Sequence, residues 1–198
     1  MAETINTATP DYIVDGVLTD GEAWVPLSTA TPSAANVQFT STTGANDWSQ
    51  YMDLKIIGYV RNSKAAVSTS LLVNFNNDYT NYDMQYLYGG GSTVAAATAS
   101  TTYAYGGWVA GANATANVFS TVVIDLFDIN SGKFKSVMAW SGETNDVTNY
   151  IATFANVWKS QAAITEIDIT GVGAGADGTI AAGSRFDLFG ILPRMVTA

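Results

Sequence analysis

The chain has 198 residues, 17 acidic and 8 basic side chains, a net charge of −9, and neither cysteine nor histidine. That excludes disulfides, thiolate or imidazole metal sites and histidine-based triads. It also disfavours nucleic acid, whose phosphates need clustered Lys and Arg. Charged residues are only 13 % of the chain, with Ser, Thr, Asn, Gly and Ala in their place, a surface suited to packing against neighbours.

Residues 1–35 carry Pro10, Pro26 and Pro32 among Thr, Ser and Ala. They read as an extended N-terminal arm, with short strands over Tyr12–Leu18 and Ala23–Leu27. No Lys or Arg precedes Lys55, whereas several acids do. The arm's apolar groups, Ile13, Val14, Val17, Leu18 and Trp24, lie between these acids. They are the candidate residues for docking on a partner's sheet edge with basic surroundings. The N-terminus has neither the basic start nor the apolar run of a secretory signal, and no stretch approaches the length of a membrane span.

From residue 36 the period is two. "NVQFTS" opens the domain 36–198. "YMDLKIIGYVR" alternates Met52, Leu54, Ile56, Gly58 and Val60 against Asp53, Lys55, Ile57, Tyr59 and Arg61; "STSLLVNFN" puts Leu71, Val73 and Phe75 on one face. "NFNNDYTNYD" offers Asn76, Asn77, Asp78, Asn81 and Asp83 as oxygen ligands for calcium, but without the spacing of a known loop it reads as a turn. The Ala/Thr-rich stretch 92–117 reads as a long loop with one irregular strand. Beside it, "YLYGGGS" and "TYAYGGWVAG" place Tyr86, Tyr88, Tyr103, Tyr105 and Trp108 next to glycine. Such loop aromatics fit a subunit contact or stack on a sugar ring, and otherwise cover the ends of the fold.

"NVFSTVVIDLFDI" is a long strand with Val118, Ser120, Val122, Ile124 and Leu126 on one side. After the turn at Asn130–Gly132, Phe134, Met138 and Trp140 share a face. Phe39, Phe75, Phe119, Phe134, Phe186 and Trp140 are the aromatic core candidates. "NYIATFANVWK" fits helix or strand, and its β-branched and aromatic content favours strand. Asp125 with Asp128, and Glu166 with Asp168, are the carboxylate pairs available for acid–base work on a glycoside, though alternate acids on a strand are ordinarily its wet face. Glu166 and Asp168 precede a Gly-rich loop, and "GSRFDLFGIL" closes the fold with Ser184, Phe186 and Leu188 on one side. Eight to ten strands with Gly-rich connections predict an all-β, two-layer antiparallel β-sandwich, jelly-roll-like, behind the arm.

"WSQYMDLKIIGYVR", "WKSQAAITEIDIT" and "AAGSRFDLFGIL", in that order, resemble the β-sandwich domains of tailed-bacteriophage virion proteins. The resemblance implies a homotrimer without catalytic residues or cofactor, made in the host cytoplasm and residing in the virion. Between the family's roles, one domain behind a short arm favours a capsid cement or decoration protein. Its partners would be the major capsid protein and further copies of itself, not nucleic acid or membrane. A tail or fibre receptor-binding role is the runner-up, and a carbohydrate-binding module the competing class.

Overall fold

The computed structural model describes residues 13–14, 17–18, 24–32, 36–144, 149–171 and 178–192. The strands are β1 (Ile13–Val14), β2 (Val17–Leu18), β3 (Trp24–Ala30), β4 (Val37–Thr40), β5 (Asp53–Val60), β6 (Ser68–Phe75) and β7 (Tyr82–Gly90). They continue as β8 (Thr93–Thr101), β9 (Ala104–Ala110), β10 (Ser120–Phe127), β11 (Lys135–Thr144), β12 (Asn149–Trp158), β13 (Glu166–Gly171) and β14 (Arg185–Ile191). Two single-turn 3-10 helices, Gly44–Asn46 and Trp48–Gln50, interrupt them.

Two antiparallel sheets face each other. The larger runs β3-β14-β5-β10-β11-β12-β7-β8 and the smaller β4-β13-β6-β9. Eight of these strands form nested pairs, first with last: β3 with β14, β4 with β13, β5 with β10, and β6 with β9. A ribbon paired in this way and folded across two sheets is a jelly roll, as the strand pattern predicts. The other four strands come from two insertions, β7–β8 between β6 and β9 and β11–β12 between β10 and β13. They pair with one another and extend the larger sheet beyond β10.

Alternation places Leu54, Ile56, Val122, Ile124, Leu126, Phe154 and Phe186 of the larger sheet against Phe39, Leu71, Val73, Phe75, Ile167 and Ile169 of the smaller. This apolar core supplies the main driving force for the fold, with a smaller cluster of Val25, Tyr51 and Leu192 beside it. The segment 149–158 is a strand, with Ala152, Phe154 and Trp158 inward.

Four features differ from the expectations of the sequence. First, Trp24–Ala30 belongs to the sandwich: it is an edge strand of the larger sheet, so the sandwich begins before residue 36. Second, 92–117 is not a long loop. It contains all of β8 and β9, because Thr and Val positions suit a pleated ribbon and β7 offers β8 a nine-residue partner in unbroken register. Third, Phe134 and Trp140 share a face, but it is the outer one. Pairing with β10 turns Val137, Ala139 and Ser141 inward, and a one-residue change of phase exchanges the faces of a strand. Fourth, Phe119 is only half-buried, stacked on Tyr59 with ring centroids 4.8 Å apart, whereas Trp48, Trp158 and Tyr82 fill the interior.

Buried polar groups have structural roles. Asn156, Ser141 and Ser120 sit on the inner face of the larger sheet and accept the N–H groups of Tyr105, Trp108 and Ala110 along β9 at 2.8–3.0 Å. Asn156 also donates to the Tyr105 carbonyl. They satisfy the outward backbone of an edge strand, which would otherwise be left unpaired inside the sandwich. The bulge in β9 needs Gly107, whose φ is 148°; a Cβ there would lie 2.7 Å from that of Ser141. The Lys135 ammonium donates to the carbonyls of Ser131 and Lys133, and burial pulls its pKa below the usual lysine range. Arg61 donates to the carbonyls of Ala112, Ala114, Thr115 and Val118, fixing the crossing from β9 to β10.

Candidate interaction surface

The outer face of the larger sheet carries the most conspicuous surface feature. One register row runs Ile57, Val123, Trp140, Thr153, Leu87 and Ala96 from β5 to β8. The next runs Tyr59, Thr121, Gly142, Ile151, Gly89 and Val94. Neither row contains a charged side chain between β5 and β8, in a chain of net charge −9. Ile151 stands 77 % exposed between two glycines, Val94 is 74 % exposed, and Trp140 and Leu87 are about half exposed. A contiguous apolar band of this kind marks a surface that meets another macromolecule. Beyond one side of it lie the Lys55–Asp125 ion pair (2.6 Å) and Trp24, whose ring centroid is 4.8 Å from the Lys55 ammonium.

The aromatics expected in loops are strand residues, except Tyr103, which lies in the short link between β8 and β9. Tyr86 and Tyr88 project from β7 and Tyr105 and Trp108 from β9. They converge where the small sheet's edge lies on the large sheet. Trp108 is 4.6 Å from Tyr88 and 5.2 Å from Tyr150, edge to face in both cases. Tyr105 stacks on Phe154 at 5.8 Å, and burial, with Tyr103 and Tyr86 nearby, pushes its phenol above the usual tyrosine pKa. These rings chiefly join the sheets. One side of the cluster stays open as a shallow recess of about 210 Å³, lined by Ser68, Thr69, Ser70, Trp108 and Tyr150. Beneath it Ser68 donates to the buried Glu143 carboxylate at 2.6 Å. The sequence pattern does not single out Tyr150 or Glu143 for this recess, because only the β11–β12 pairing brings them beside β9.

The two carboxylate pairs belong to different sheets. Asp125 lies on the larger sheet, bound to Lys55. Glu166 and Asp168 lie on the smaller, accepting from Asn77 and Gln38. Of the side chains weighed for calcium, Asn76, Asp78 and Asp83 use their oxygens in hydrogen bonds within the protein. Asn76 accepts the N–H groups of Thr165 and Glu166. Asp78 accepts from Thr80, Asn81 and the Trp158 indole. Burial alone would raise the Asp78 pKa, but these hydrogen bonds outweigh it and bring it down to about 2. Asp83 accepts from Ser100 and Lys159.

Of the arm's apolar residues, Ile13 and Val14 pair with Leu18 and Val17 as the hairpin β1–β2. Trp24 is half exposed on the outer face of β3, tilted 53° against Phe189 at 6.0 Å. No protein-family model, curated protein or solved structure matches the chain.

Proposed function

We propose that this chain is a structural protein of a tailed-phage particle, a cement protein that binds the outer capsid surface as a trimer and stabilises the head. The uncharged apolar band across the outer face of the larger sheet carries the reading, because such a surface calls for a protein neighbour. The jelly roll is compatible with it but is shared by many functions. The phage assignment itself rests on the sequence resemblance. In this reading the hairpin β1–β2 and its acidic flanks anchor the sandwich to basic groups on the capsid. Binding only the assembled shell stabilises that shell by mass action, and several contacts per trimer make release slow.

Particles lacking the protein should release DNA at lower temperature than intact ones, and purified protein added back should restore the difference. Removing residues 1–22, ahead of β3, should leave a folded protein that no longer decorates capsids. Particles without the protein that withstand heat normally yet fail to adsorb to cells would replace the cement role with a tail or fibre role. The recess beside Trp108 and Tyr150 favours a second reading, glycan binding. Two ring walls and the hydroxyls of Ser68 and Ser70 suit a sugar, and a glycan array on the isolated protein tests it.

A further inference from the structure

A two-layer sandwich of this kind has four sheet edges, and three of them are blunted. β3 carries Pro26, which lacks an N–H, and a register shift between Leu188 and Phe189 of its partner strand. β4 has only four residues. The backbone N–H groups of β9 are taken by Asn156, Ser141 and Ser120. The fourth edge, β8, has none of these devices. It is a nine-residue strand, TVAAATAST, without proline, charge or bulge, in unbroken register with β7, and nearly all of it is exposed. A long, regular, uncharged edge is a template for another strand, and soluble proteins ordinarily protect such an edge when it stays free.

We propose that β8 pairs antiparallel with β8 of a second copy across a two-fold axis at Ala97, joining the two larger sheets into one. The sequence complements itself about that point. Thr93 meets Thr101, Val94 meets Ser100, Ala95 meets Ala99 and Ala96 meets Thr98, so no large side chain faces another. The other three edges of the sandwich are blunted, for the reasons given, and the pairing is isologous as a two-fold contact must be. Charge agrees: the chain carries −9, yet no residue of β8 is charged, and the nearest acid on β7, Asp83 opposite Ser100, is paired with Lys159. This contact goes beyond the proposed capsid role and does not depend on it; a threefold contact elsewhere would combine with it into hexamers.

Because the chain has no cysteine, Ala97→Cys gives it one thiol. In the paired dimer the two Cβ atoms at this position would lie about 4.5–5.5 Å apart. A mild thiol oxidant should therefore convert A97C almost wholly into a covalent dimer, while Gly132→Cys, in the exposed β10–β11 turn, stays largely monomeric. The pair Ala95→Cys with Ala99→Cys should behave as A97C does, which covers a failure of A97C to fold. Sedimentation of the unmodified protein at high-micromolar concentration should show dimers, or hexamers. Ala96→Lys with Thr98→Lys, which sets lysines opposite lysines, should weaken the association roughly a hundredfold. Monomers or simple trimers, with A97C no more crosslinked than G132C, would overturn the pairing and leave the capsid reading standing. Dimers that fail to decorate capsids would do the reverse.

Discussion

The edges at β8 and β9 lie in one molecule and follow each other in the chain, yet the sequence treats them in opposite ways. β9 sits under the larger sheet, and three buried polar side chains from β10, β11 and β12 complete its hydrogen bonding. β8 projects past the small sheet and presents bare backbone to its surroundings. An edge enclosed by its own fold has to be satisfied internally, because an unmet buried N–H is costly. An edge held outside the fold is free to be satisfied by another chain. Composition differs accordingly. Large rings and glycines occupy β9, which must pack and bulge, whereas alanine and threonine fill β8, which must admit a neighbour.

The largest effect should come from breaking the seal on β9. Asn156→Ala would leave both the N–H and the carbonyl of Tyr105 without a partner, at about 1–3 kcal/mol each. Urea unfolding should show a loss of about 3 kcal/mol with an unchanged m-value. Ser141→Ala, which strands only the Trp108 N–H, should cost about half as much. Tyr82→Phe lies between the edges, in the core. Its hydroxyl accepts the Phe75 N–H at 2.9 Å, and its removal should cost about 1–2 kcal/mol.

A smaller effect should appear with acid. Asp78 has a pKa of about 2 in the folded chain, below the ordinary 3.8. Its carboxylate therefore contributes stability that is present above pH ~4 and is lost as pH falls toward about 2. Partial exposure to solvent reduces the contribution to roughly 1 kcal/mol. Asp78→Asn should flatten that part of the pH profile in thermal unfolding. The smallest effect on stability should be at β8. Ala96→Lys with Thr98→Lys should change unfolding by no more than about 0.5 kcal/mol, although it disrupts association.

Much of the fold is legible in the sequence, wherever alternation has a clear apolar side. Leu54, Ile56 and Val60, Leu71, Val73 and Phe75, and Phe186 with Leu188 are all buried as their spacing predicts. The interaction surface is less legible, for three physical reasons. Period-two spacing groups Phe134 with Trp140 but does not say which face of β11 is inward; pairing with β10 decides that. Alanine and threonine in 92–101 carry too little apolar contrast to distinguish a strand from a loop, although β7 supplies a full-length partner. The outer band is assembled from residues far apart in the chain, such as Ile57, Leu87, Trp140 and Ile151, and only the register brings them into adjacent rows. Likewise Asn156, in a stretch whose pattern is set by its apolar residues, gives no sign that it closes the edge of β9.

Amide hydrogen exchange read residue by residue, at two protein concentrations, tests the contrast between the edges most directly. The amides of Tyr105, Trp108 and Ala110 should be protected equally in dilute and concentrated samples, since their acceptors belong to the same chain. The outward amides of β8 should exchange fast when dilute and become protected as concentration rises, with Ala96→Lys and Thr98→Lys abolishing the change. Exchange from β8 that is fast at every concentration, or exchange from β9 that slows on concentration, would contradict the account.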